Sequence, residues 1–231
     1  MLEKRGRGRP TQDKEEVRRK VLEAAGRVLL EAGFSKFSID AVSQAAGVAK
    51  KTIYSFADSR EELVGLIVAS WTEQLDASSY GSAGAAGGGD AVGALKALLF
   101  RIYRIALSRD AVLLFRLISG EEKARALLAE TYNRNGIEKG VKALSSWLQH
   151  RQASGEVKRD DPDRQARTIL AVLVAEPLRQ ASIGVAIPFD DADEVVAEHV
   201  GNCVNYLAPL IFERTLPDMM GAARAEPLSP G

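Results

Sequence analysis

An all-α fold is predicted by three features of the chain. No period-2 run of β-branched residues occurs anywhere in its 231 residues. Apolar residues recur at helical spacing instead, as in Val92, Leu95, Leu99, Ile102 and Ala106. Hydroxyl or carboxylate side chains open several of these stripes, and glycines close others, as N-caps and C-terminal stops do. The length accommodates a small N-terminal module and a larger C-terminal helical domain with its own core.

Residues 1–12 read as a flexible basic arm. Lys4, Arg5, Arg7 and Arg9 face a single acid, Glu3, and Gly6, Gly8 and Pro10 prevent a helix. Arg7-Gly8-Arg9-Pro10 resembles the AT-hook, in which arginines lie in a narrow, strongly negative minor groove. A plain basic tail has the same composition. The first helix spans Asp13 to Ala32, with Asp13 and Glu16 at capping-box spacing and Val17, Val21, Ala24, Ala25, Val28 and Leu29 as its stripe. Gly33 stops it, and Phe34 and Phe37 are placed to plug the module's core.

Ser38 caps the second helix, where Ile39, Val42 and Ala46 share one face and Asp40, Ser43 and Gln44 face water. Gly47 makes the sharp reversal that needs a residue tolerant of positive φ. Val48 and Ile53 bury one side of the third helix and leave Lys50, Lys51, Thr52 and Ser55 outward. Two short helices with a cationic, hydroxyl-rich second face fit a helix-turn-helix in a DNA major groove. An ordinary helical hairpin with two exposed lysines is the alternative. Ser59 and Glu62 then open a fourth helix through Leu63, Leu66, Ile67 and Trp71.

The run Ala46-Gly47-Val48-Ala49-Lys50-Lys51-Thr52-Ile53-Tyr54, followed by Ser59-Arg60-Glu61 and Leu63, resembles the TetR/AcrR family of bacterial transcriptional regulators. The resemblance covers roughly residues 13–70, about a quarter of the chain. One position departs: the aromatic residue usual two before the serine of the fourth helix is Ala57 here, with Phe56 beside it. The resemblance implies DNA contacts from Ser38, Ala49, Lys50, Lys51, Thr52, Tyr54, Ser55 and Arg60. Lys50 or Thr52 is expected nearest the bases and Tyr54 on a phosphate; the arm adds Arg5, Arg7 and Arg9. It further implies an effector-binding and dimerisation domain after the helix-turn-helix domain. Its last two long helices, roughly 162–184 and 191–212, would pair with those of a second copy through Leu170, Leu173, Val196, Val200, Cys203, Val204 and Leu207. A buried intramolecular face would show the same stripes.

The organisation that follows is an arm over 1–12, a helix-turn-helix domain over 13–58 and a linking helix over 59–77. A Gly-rich connector occupies 78–90, a ligand-binding and dimerisation domain 91–215, and a frayed tail 216–231. Ser78 to Asp90 lacks the preceding strand and Gly-Lys-Ser/Thr ending of a phosphate loop, so it reads as a connector. Beyond it, the stripe from Val92 is followed by apolar Leu113–Ile118 and by Ile137, Val141, Leu144 and Leu148, with a break expected near Asn133 to Gly136. Asp161 caps a helix with Pro162 at its first position; Pro177 should kink it. Asp191 and Glu194 have capping-box spacing for the last helix. Phe100, Tyr103, Phe115 and Trp147 are candidate walls of an effector pocket, or plain core.

Charge is zero overall but unevenly placed. Residues 1–70 carry 13 basic against 10 acidic residues, and the remainder 18 against 21. A mildly basic module on a mildly acidic body suits one end meeting phosphate. One cysteine excludes an internal disulfide framework, and two distant histidines offer no zinc pattern, so no metal or cofactor is expected. The longest strongly apolar stretch, Thr168–Ala175, is closed by Arg167 and Glu176, which points to a soluble, cytoplasmic protein with no membrane span. No nucleophile elbow or convergent His–carboxylate set suggests an enzyme. His199 reads as a surface residue and Cys203 as a small hydrophobe. The expected function is a DNA-binding regulator, most simply a ligand-responsive repressor that binds an inverted-repeat operator as a homodimer, with duplex DNA, a second copy and an unidentified small-molecule effector as partners. Two alternatives remain: an architectural minor-groove protein, and a small-molecule-binding helical protein whose DNA module is degenerate.

Overall fold

The computed structural model describes residues 13–75 and 90–212. The arm with Arg5, Arg7 and Arg9, the Gly-rich connector and the tail lie outside the described residues. Ten α-helices occur within them: α1 (Lys14–Ala32), α2 (Ile39–Ala46), α3 (Lys50–Tyr54), α4 (Arg60–Thr72), α5 (Ala91–Ala106), α6 (Arg109–Gly120), α7 (Glu122–Tyr132), α8 (Glu138–Ala153), α9 (Pro162–Ser182) and α10 (Asp193–Ile211). Extended pairing among the described residues is limited to an isolated bridge between Val157 and Phe212, so the molecule is all-α. No described helix is long and apolar enough to cross a membrane.

Local chemistry sets most helix ends. The Asp13 carboxylate accepts from the Glu15 amide at 3.2 Å, and Glu15 and Glu16 place negative charge against the positive end of α1. Gly33, at φ +78°, ends it. Asp161 accepts from the amides of Asp163 and Arg164 ahead of Pro162. The last helix departs from expectation. Its cap is Ala192 without a side-chain hydrogen bond, and Asp193 in its first turn is paired with Arg104 instead. A short 3-10 turn, Pro188–Asp190, brings the chain into this helix. Pro177 does not interrupt α9, which continues to Ser182.

Two cores form. The first gathers α1–α4 around Phe34 and Phe37, whose rings stack at 6.4 Å, and takes in Leu114 and Ile118 of α6 and Ala124 and Leu128 of α7. The second joins Leu75 to α5, α8, α9 and α10. Helices α6 and α7 thus brace the N-terminal module against the body.

The expected break near Asn133 is a π-helical turn, Asn133–Ile137, between α7 and α8. Such turns widen the backbone and recur at functional sites. Here the Asn135 side-chain amide donates to the Gly65 carbonyl at 3.1 Å, and the Thr72 hydroxyl donates to the Asn135 carbonyl at 3.0 Å. Both partners belong to α4. A Cβ on Gly65 would lie 2.9 Å from Asn135 Nδ2 and 3.0 Å from Thr131 Cγ2, so the glycine permits this close approach.

Candidate nucleic-acid interface and ligand cavity

The helix-turn-helix is fixed from within. The Ala41 amide donates to Ser38 Oγ at 3.2 Å, which caps α2. Gly47 turns the chain in the left-handed region, at φ +64° and ψ +34°. The Ser43 hydroxyl does not face water as the pattern suggested; it donates to the Val48 carbonyl at 2.6 Å and closes the turn. Ile53 is fully buried, which sets the rotation of α3. The opposite face then carries Lys50, Lys51, Tyr54 and Ser55, all exposed, with Thr52 half-buried and Ala49 exposed at the cap.

Besides Ser38, three expected DNA contacts are otherwise engaged. The Lys50 ammonium forms an ion pair with Asp40 of α2, and that hydrogen bond and charge push the lysine pKa upward. Arg60 is half-buried: its guanidinium lies 4.4 Å from the Phe34 ring centroid, and its Nε donates to Glu61 at 2.9 Å. It pins α4 to the module's core, because a long cationic side chain beside an aromatic ring packs its stem and stacks its head. Ser55 is exposed, yet its hydroxyl donates back to the Thr52 carbonyl at 2.6 Å. Lys51 and Tyr54 are both exposed, Tyr54 at 51%. At the corner, Ala57 is buried and Phe56 packs against the same core, so the aromatic enters one residue earlier.

An apolar cavity of about 370 Å³ lies behind α4. Val68, Trp71, Thr72 and Leu75 form its α4-side wall, Gly136 and Ile137 of the π-turn another, and Leu170 and Val174 of α9 a third. Of the four expected pocket residues only Phe115 lines it. Trp147 is buried in the second core beneath Arg151, and Phe100 is half-buried with Arg104 at 5.7 Å. Tyr103 lines a separate, smaller pocket and packs on His199, ring centroids 5.1 Å apart. Aromatic type alone did not distinguish wall from core, since both are apolar. His199 is not a simple surface residue: its Nε2 lies 3.2 Å from the Leu173 carbonyl and 3.8 Å from Cys203 Sγ.

The stripe expected to pair the subunits faces inward. Leu173, Val196, Val200, Val204 and Leu207 are buried in the subunit's own core, Leu170 lines the cavity, and Cys203 is half-buried. The exposed hydrophobic residues of α9 and α10 are Val172, Val195, Tyr206 and Leu210, with Ile183, Val185 and Ile187 between the helices.

A helix-turn-helix head joined through α4 to a helical body with an apolar cavity defines a class: DNA-binding regulators with a separate helical domain. Residues 21–67 match the bacterial regulatory proteins, tetR family, and residues 93–207 match the AefR-like transcriptional repressor, C-terminal domain. No protein of curated function matches the chain in sequence. A TetR-family regulator from Mesorhizobium loti is similar in structure, with a TM-score of 0.70 and 19% identity over 87% of this chain and 99% of its own. The flavonoid-responsive regulator FrrA gives 0.62 and 24% over 87% and 100%. FadR of Bacillus subtilis, solved with stearoyl-CoA, gives 0.56 and 16% over 80% and 98%. The chain belongs to the TetR family. Its fold is that of a DNA-binding transcriptional regulator, and regulators of this family are generally non-enzymatic.

Proposed function

We propose that this protein is a ligand-responsive repressor that binds an inverted-repeat operator as a homodimer. The carrying observation is that one helix serves both ends. Helix α4 is pinned to the DNA-reading core by Arg60, Leu63, Val64 and Ile67, and its far half walls the cavity. A small molecule that prefers one setting of α4 needs only a few kcal/mol of differential affinity to change operator occupancy. The relatives FrrA, described as flavonoid-responsive, and FadR, solved with stearoyl-CoA, support a small molecule as the signal.

In this reading Lys51, Thr52 and Tyr54 lead the contacts with the groove and its phosphates, and Ser38, Ala49 and Ser55 lie at its edges. Lys50 joins them once it exchanges Asp40 for DNA. A single five-residue recognition helix reads too few bases to select a genomic site, which supports pairing of two heads about a two-fold axis. The exposed hydrophobic residues of α9 and α10 support that pairing on the outer faces of these helices.

Footprinting on DNA upstream of its own and neighbouring genes tests the reading. Two protected half-sites, with centres about 34–36 Å or a multiple apart, and two chains per duplex in sedimentation are expected. One chain per site, or smeared binding with no protected repeat, overturns it.

A further inference from the structure

The cavity behind α4 has few polar side chains, Trp71, Thr72, Tyr132 and Arg167, and two of them are committed. Arg167, at its lip, donates to both Glu138 oxygens, at 2.9 and 2.7 Å. That pairing holds the Glu138 carboxyl below the usual carboxylate range. The Thr72 hydroxyl is spent on the Asn135 carbonyl at 3.0 Å. Tyr132 and the Trp71 indole differ: no described residue hydrogen-bonds either, and Tyr132, the one group of the two that can both donate and accept, has its ring centroid 6.4 Å from that of Phe115. Burial pushes the Tyr132 pKa upward, so the group is a protonated donor at neutral pH. Val68, Ile105, Leu170 and Val174 supply hydrocarbon walls.

We infer that the cavity takes an uncharged, predominantly apolar molecule whose one hydrogen-bonding group meets the Tyr132 hydroxyl, and that it discriminates against carboxylates and phosphorylated thioesters. This rests on the reading of the cavity as the effector site. A carboxylate placed deep in the cavity would face hydrocarbon without a cation, which is strongly unfavourable. A carboxylate at the lip would find Arg167 already neutralised and Glu138 presenting like charge. The Tyr132 hydroxyl, by contrast, can donate to or accept from a neutral hydroxyl or carbonyl with no charge transferred from water. The volume, about 370 Å³, falls within the range of roughly 300–1,000 Å³ typical of small-molecule sites.

The full-length protein, loaded with the neutral dye N-phenyl-1-naphthylamine at neutral pH, is titrated with decanol, decanoate and decanoyl-CoA. Decanol is expected to displace the dye at a concentration at least roughly tenfold below decanoate, about the effect of one well-placed hydrogen bond and an unpaired charge. Decanoyl-CoA is expected to leave the dye in place. Tyr132→Phe keeps the cavity's shape; with the dye's affinity measured separately for the variant, it should weaken decanol roughly tenfold. Ala106→Phe, which fills the cavity, should abolish dye binding. Equal or tighter displacement by decanoate or the thioester overturns the inference, as does indifference of decanol to Tyr132→Phe or the absence of saturable dye binding. A parallel gel shift on upstream DNA keeps the two readings separate. Release of DNA by decanoate alone would overturn the ligand class and support an effector site. Binding of decanol without any release by either compound would support the ligand class and overturn the effector reading.

Discussion

Lys50 occupies the first position of α3, and Asp40 one helix away holds it. If Lys50 meets DNA as proposed, a carboxylate beside it repels phosphate and competes for the ammonium, so contact with the wrong DNA gains less. Both groups are well exposed, and the pair itself adds little to stability. Asp40→Asn should therefore raise affinity for random-sequence duplex and steepen the salt dependence, by a slope of about 0.9 if one phosphate contact is gained. A titration in salt checks this; an unchanged slope would mean that Lys50 leaves Asp40 on any DNA. The lone cysteine gives a second expectation at this scale. Burial pushes the Cys203 thiol up, away from the thiolate that reacts. Iodoacetamide at neutral pH should alkylate the native protein several times more slowly than the urea-unfolded chain, and equal rates would refute the assignment of Cys203 as a packed hydrophobe.

Helices were legible from the sequence where their causes are local. Ser38, Gly47, Ser59 and Asp161 act within three or four residues, and each caps or stops the helix that its neighbours require. The break at Asn133–Gly136 was visible in two asparagines and a glycine, all poor helix formers, but its role was not. Its partners, Gly65 and Thr72, lie 70 and 63 residues away along the chain, and nothing local reports such a distance. Long-range pairing likewise hid the place of Arg60 over Phe34, and of His199 beside Tyr103. The α4 clasp can be tested directly. Gly65→Ala drives a Cβ into Asn135 and Thr131, an overpacking that should cost about 1–3 kcal/mol. Asn135→Ala, which removes one hydrogen bond, should cost about 0.5–1.5 kcal/mol. Because the two share one contact, the double variant should lose less than the sum of the singles in urea unfolding. Strict additivity would show that the contact carries no coupling.

On the scale of the whole molecule, the question is which face of an amphipathic helix meets its own core and which meets another copy. Periodicity answers only that a face is apolar. In α10 the strong stripe Val196, Val200, Val204, Leu207 is the subunit's own, and the weaker one is left outside. Val195, Tyr206 and Leu210 fall along a single line on that outer side: eleven residues make about three turns, and four make about one more. Tyr206 is 78% exposed and Leu210 65%, far more than a soluble helix needs to offer water. Val172 adds to the patch from α9. If this surface pairs the two heads, charge placed there should split the dimer without unfolding the subunit. Tyr206→Glu combined with Leu210→Glu should sediment as a monomer, keep its helical circular dichroism, and lose most of its operator affinity. Val200→Glu makes the contrasting case. A carboxylate in the sealed core has no partner, so that variant should unfold rather than dissociate. A Tyr206–Leu210 double variant that remains dimeric and binds its operator normally would move the interface elsewhere on the molecule.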